Sequence, residues 1–280
     1  MNKKGSNNYK SFEIAKSNFT VWTRSSRTIF VFIFAALLVY NGALQNQNYM
    51  TAVAVPLHWL EAVCWALSER LPVYTYGLLM LIMINELPLK TGFHSFSLIR
   101  SDRHTWIKGQ IFYCLWIVSL YVTFLILLTM FIMRFLFPVS FGWSEQNAIE
   151  AGLLFEEDAL ISPLLMRHFT PITGLLISIL PIYSFYFMMS LLLLAFSISG
   201  HSALGAAVYM FLLLFGQIFL LEIFPLHRIP VQYAVLNGIT GKTTEEIPAK
   251  LAEGIAVHIV GNILLLWVLL RRAKNTDLCF

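Results

Sequence analysis

Ile111–Phe137, IFYCLWIVSLYVTFLILLTMFIMRFLF, carries one charged side chain, Arg134, and stops at Pro138. A run this long and apolar reads as a helix that spans a membrane, which takes about 20 residues. In lipid only a helix or a closed barrel satisfies its own backbone groups, and the run is too continuous for the alternating strands of a barrel. Five further apolar stretches flank it, at about 28–44, 72–87, 171–199, 203–224 and 255–270. The predicted fold class is therefore an all-α polytopic membrane protein with six transmembrane helices. The whole chain, 1–280, forms a single transmembrane domain.

Charge sorts the gaps between these stretches. Basic residues collect in every second gap: Lys3, Lys4, Lys10, Lys16, Arg24 and Arg27 first, then Lys90, Arg100, Arg103 and Lys108, and finally Arg271, Arg272 and Lys274. The other gaps hold Glu61 and Glu69, then Glu145, Glu150, Glu156, Glu157 and Asp158, then Glu245 and Glu246. This alternation is the positive-inside pattern, and it predicts both termini in the cytoplasm. The net charge of +4 comes from the basic gaps. Anionic lipid accounts for it, so no nucleic-acid partner is implied. Hydrophobic residues make up 58% of the chain and charged ones 12%, which excludes an ordinary soluble domain. Cys64, Cys114 and Cys279 are scattered and odd in number, so neither a disulfide framework nor a metal cluster is indicated. The first 28 positions are polar and are read as no signal peptide.

Three segments between the spans have expected structure. In 9–24, Phe12, Ala15, Phe19 and Trp22 recur at helical spacing, which reads as an interfacial elbow helix; the plainer reading is a solvated tail. Asn41 and Gln45–Asn48 are expected to end the first span. Met50–Leu71, with His58, Trp59, Glu61 and Trp65, is expected to lie on the outer membrane surface. Pro181 is an expected kink in the fourth span. The turn Gly200–Ser202 joins spans four and five.

The gap between the second and third spans carries the most specific local signal. Glu86 closes one helix, Thr91–Gly92 opens a short amphipathic segment with Phe93 and Phe96 at i, i+3, and Arg100 and Arg103 precede the restart at Lys108–Gly109. Read plainly, it is a basic loop. These residues, with Leu98, resemble the permease subunits of ABC transporters of the type-2 exporter (ABC-2) family, although Thr-Gly and Lys-Gly stand in reversed order. The elbow helix, six spans, tight fourth turn and a segment before the last span extend the likeness over nearly the whole length. The resemblance implies a coupling helix at 91–100 and an outer re-entrant segment at 225–249. It implies that Glu86, Thr91, Gly92, Phe93, Phe96, Arg100 and Arg103 couple to a separate ABC nucleotide-binding (ATPase) subunit. The permease then binds no cofactor directly, and ATP and Mg reside on the partner subunit. Six spans are half of twelve, so a second permease copy or a paralogous permease is implied.

Other motifs weaken the case for an enzyme. Gly238–Thr244 imitates a phosphate loop around Lys242, but Leu236 stands where the first glycine is required. Glu156–Glu157 lacks the arginine of the paired-glutamate intramembrane proteases, since that position is Ile161. Neither a zinc motif nor a serine elbow occurs. Ionisable or polar groups near the membrane are the remaining candidates for a substrate pathway or outer gate. Glu222 either meets a cationic substrate or pairs with Arg228. Gln217, His258 and Asn262 either line a pathway or join helices, His258 and Asn262 sharing one face at i, i+4. The expected function is export of an amphipathic or hydrophobic substrate (a drug, antibiotic or antimicrobial peptide) across the cell membrane. Polysaccharide or teichoic-acid export is one alternative. An ion-coupled transporter or channel, or a scaffold without transport of its own, are others.

Overall fold

The computed structural model describes residues 3–53, 55–68, 70–88, 102–218 and 246–275, and among these every regular element is helical. The helices are α1 (Lys3–Thr23), α2 (Ser26–Val53), α3 (Trp59–Ser68), α4 (Arg70–Ile84), α5 (Arg103–Leu136), α6 (Ser144–Glu150), α7 (Pro163–His168), α8 (Pro171–Ile198), α9 (Ser202–Ile218) and α10 (Ile247–Asn275). A 3-10 turn, Glu156–Asp158, lies between α6 and α7. Four of them, α2, α5, α8 and α10, are long and apolar enough to cross a membrane; the apolar parts of α4 and α9 are shorter. The predicted coupling helix at 91–100 and most of the predicted re-entrant segment lie outside the described residues, while 247–249 open α10.

Local chemistry sets the ends of the long helices. Asp102 caps α5 by accepting from the Thr105 amide at 3.3 Å, and Phe137 takes an extended conformation ahead of Pro138. Thr170 caps α8, with Pro171 in the first turn where its missing N–H costs nothing. At the far end of α8, Gly200 adopts φ 79°, and the amides of His201 and Gly200 bond back to Phe196 and Ser197. That is a Schellman close, and it turns the chain directly into α9. α8 runs unbroken through Pro181.

Contacts between helix ends fix the directions of travel. At one end, the Trp59 amide bonds to Pro138 O, Cys64 Sγ lies 3.2 Å from Pro171 O, and the Trp143 indole donates to Phe169 O. At the other end, Arg27 meets Glu86, Ser11 meets Thr105 O, Ser197 meets Leu87 O and Arg272 meets Ala195 O. We call these the acidic and basic ends, after the residues that line them. α2 and α5 therefore run the same way, as do α8 and α10. α3 followed by α4 runs back from the acidic to the basic end.

α4 is tied to its neighbours through its backbone carbonyls. Tyrosines from three neighbours, Tyr121 of α5, Tyr186 of α8 and Tyr209 of α9, are fully buried and donate to the α4 carbonyls of Tyr76, Val73 and Gly77. Buried hydroxyls need partners, and these carbonyls supply them along α4. At Gly77 a Cβ would lie 2.9 Å from Leu213, so the missing side chain lets α9 approach.

Three expectations change at this level. α2 continues through the amides expected to end it near residue 44, because Asn46 reaches Ala62 O and Tyr49 reaches Glu145. The segment expected on the membrane surface is instead α3, buried between α5 and α8 from Leu60 to Leu67. α1 forms, but its buried residues are Ser11, Ile14, Ala15, Asn18 and Trp22, and they pack on α5. Of the expected stripe, Ala15 and Trp22 are buried, while Phe12 and Phe19 stack against Trp116 from the side.

Candidate functional site

The basic end gathers α1, α2, α4, α5 and the α8–α9 turn around one cavity of about 510 Å³. α5 explains how α1 comes to be there. Its 34 residues reach about 51 Å, beyond the ~30 Å of a hydrocarbon core, so a stretch of α5 is left for α1 to pack on. The two helices meet closely at Gly109, where an added Cβ would lie 2.8 Å from Ile14 Cγ2 and 3.0 Å from Ser11 O. The Ser11 hydroxyl donates to Thr105 O at 2.9 Å in the same seam.

α1 then turns into α2 within three residues. The amides of Arg24 and Ser25 bond to Val21 O and Trp22 O, and the Thr28 hydroxyl donates to Trp22 O at 2.8 Å. The buried Trp22 ring, 5.3 Å from Phe19 and 6.3 Å from Phe32, wedges the bend. This geometry points Arg27 at Glu86, just past the end of α4, with Nη2 to Oε1 at 2.5 Å. The two side chains are 37% and 56% exposed, so the pair adds little stability, about 0–1 kcal/mol. Its effect is positional: it joins the α1–α2 bend to the end of α4. Ser197 at the end of α8 donates its hydroxyl to Leu87 O and locks the same point from the other side.

Of the residues singled out from sequence, Glu86 lies on this cavity and Arg103 opens α5 next to its Asp102 cap. Thr91, Gly92, Phe93, Phe96, Arg100, Glu222 and Arg228 lie outside the described residues, as does the side chain of Gln217. His258 and Asn262 lie elsewhere, between α10 and α8. Asn262 Nδ2 is 2.9 Å from Ser184 Oγ, and the buried His258 ring is 6.3 Å from Phe185. Among the described candidates, Glu86 lies on the cavity while His258 and Asn262 do not. Arg24, Arg27 and Tyr113 were not singled out for this cavity. The basic gap before α2 was the signal for the two arginines.

A second constellation sits at the acidic end. Glu61 of α3 is 1% exposed, and its carboxylate accepts from the amides of His58, Ser144 and Glu145 and from the Ser144 hydroxyl. It serves α6 as a capping group brought in from another helix. Glu145, fully buried beside it, accepts from Tyr49 Oη and from the amides of Leu160 and Ile161. Burial pushes the Glu145 carboxyl above its ordinary value and the nearby Glu61 adds to this, against the pull of its three hydrogen bonds. His58 Nδ1 lies 2.8 Å from Gly142 O. The two glutamates hold the 139–170 region onto α2 and α3. Among the described residues no group of three or more His, Cys, Asp and Glu side chains is arranged to hold a metal. Glu156 pairs with Arg167 at 2.5 Å on the exposed surface.

Comparison of the chain with protein-family models, with curated proteins and with solved structures finds no match.

Proposed function

We propose that this chain is the membrane-spanning permease subunit of an ATP-driven exporter of the ABC-2 type. The basic end would face the cytoplasm. α2, α5, α8 and α10 would each cross the membrane. Because α2 and α5 run the same way, and α8 and α10 do too, a return pass is needed between each pair. α3–α4 and α9 would supply them, giving six crossings.

The observation that carries the reading is the joint at the basic end. Glu86 and Leu87 immediately precede the segment whose sequence resembles a coupling helix, and they are tied to the α1–α2 bend by Arg27 and to α8 by Ser197. A push delivered to 91–100 by a nucleotide-binding partner would reach α2, α4 and α8 together. ATP-driven closure of two such partners would then rock two permease copies between inward-open and outward-open states. The cargo class that fits is amphipathic or hydrophobic, with a polymer such as a teichoic acid as the neighbouring alternative. The test is assembly with the nucleotide-binding subunit. Phe93→Ala together with Phe96→Ala should abolish ATP hydrolysis that depends on the complex, and unchanged coupled hydrolysis would refute the assignment.

One observation favours a second reading. Asn262 donates to Ser184 Oγ and to the main-chain O of His258 between two long apolar helices, with the buried His258 ring one turn away, the kind of polar group an ion-coupled transporter uses. Transport by the chain alone that collapses with the proton gradient, and with Asn262→Ala, would favour it.

A further inference from the structure

The cavity at the basic end has the chemistry of an anion site. At about 510 Å³ it is the size of a small-ligand pocket and far larger than a single buried water requires. Among the described residues, Arg24 and Arg27 line it with a single carboxylate, Glu86, which leaves one positive charge in excess. Glu86 engages Arg27 through Nη2 at an exposed, weak pair, so Arg27 can turn its donors to an anion that enters the cavity. The Arg24 guanidinium has no ion-pair partner among the described residues.

A second feature is independent of these surface charges. Tyr113 of α5 is 1% exposed, lines the cavity, and its hydroxyl has no hydrogen-bond partner among the described residues. A phenol at the floor with guanidinium groups at the mouth is a donor set for phosphate oxygens. Trp22 and Met83 supply an apolar stretch of a wall that also carries Ser25, Asn85, Ser197 and Ser202. Arg24, Ser25 and Arg27 of its lining immediately precede the apolar run of α2, the level where lipid headgroups would meet the chain.

We propose that this cavity binds the phosphate headgroup of an anionic phospholipid, with Arg24, Arg27 and Tyr113 as donors and Trp22 and Met83 against the glycerol and first acyl carbons. The proposal needs the basic end to lie at a membrane surface; it does not depend on the permease reading. Glu86 then acts as a built-in competitor, holding Arg27 when the site is empty and releasing it to the phosphate when the site fills.

The test is native mass spectrometry of the full chain released from nanodiscs of phosphatidylglycerol mixed with phosphatidylcholine. Wild type should retain one phosphatidylglycerol in preference to phosphatidylcholine. Arg24→Gln should cut that retention about fivefold, the worth of one cation near a lipid surface. Glu86→Gln should raise it by a similar factor, which a purely structural ion pair would not do. Arg271→Gln removes a cation stacked 5.0 Å over Trp267 and away from the cavity, so it should change nothing. Equal retention of both lipids would overturn the proposal. So would an equal loss in Arg24→Gln and Arg271→Gln, or a fall in Glu86→Gln. In phosphatidylcholine discs, inorganic phosphate or glycerol phosphate that protects the site as well as the lipid does would also overturn it, because the ligand would then be a soluble anion.

Discussion

Replacing Glu61 tests whether one buried carboxylate holds the acidic end together. Its two oxygens accept from three backbone amides and one hydroxyl, at 3.0–3.3 Å for the amides, in a place shut off from solvent. Glu61→Ala strands those donors. Each buried amide left unpaired costs about 1–3 kcal/mol, and the Ser144 hydroxyl can rotate toward another acceptor. The costs are not additive, because the amides of Ser144 and Glu145 shift together, so about 4 kcal/mol is expected in total. Glu61→Gln keeps one acceptor oxygen and the shape but turns an amide hydrogen toward a donor, for a loss of about 2 kcal/mol. Equilibrium unfolding of the purified chain in mixed micelles measures both. Trp143 is a local reporter, since it precedes Ser144 and donates to Phe169 O at 2.6 Å. A cycle with Ser144→Ala isolates the shared contact. A loss below about 1 kcal/mol in Glu61→Ala would refute the reasoning, because the amides would then have other partners.

Three further outcomes follow from the same contacts. Glu145 has its carboxyl raised above the ordinary 4.5, chiefly by burial, so the folded state binds the extra proton. Its stabilising contribution is complete below the unfolded value and is lost as pH rises through the raised one; Glu145→Gln should remove that slope in unfolding titrations, and an unchanged slope would count against it. Gly109→Val would drive side-chain atoms into Ile14 and Ser11 O and should cost about 1–3 kcal/mol while exposing α1 to protease, whereas a stable, protease-resistant variant would contradict the packing of α1 on α5. In intact cells, a cysteine at Leu153, exposed at the acidic end, should react with an impermeant maleimide and one at Lys10 should not; the reverse pattern would invert the orientation.

The parts of the fold that could be read from sequence are those decided by neighbouring residues. Pro138, Pro171 and Gly200 mark the end of α5 and both ends of α8 because a proline or a left-handed glycine acts within one turn, whereas α5 starts at Arg103, ahead of the restart expected at Lys108–Gly109. The errors have a common cause in partners distant along the chain. The burial of α3 depends on Glu61 finding the amides of Ser144 and Glu145, which no local pattern announces. α2 passes through its run of amides because α3 and α6 supply acceptors. The buried face of α1 turned toward Ser11 and Asn18 because Gly109 leaves room there, while the aromatic stripe met Trp116 at its edge. At the candidate site, Glu86 was visible as the acid closing a helix. Its pairing with Arg27, and the buried Tyr113, required the packed basic end.

The central claim is that this chain moves cargo only when a separate ATPase drives its basic end. Transport into inside-out proteoliposomes, measured for the chain alone and with its nucleotide-binding partner, tests it most directly. The expected result is uptake that requires both the partner and hydrolysable ATP and survives collapse of the proton gradient. Uptake by the chain alone, driven by that gradient, would contradict it.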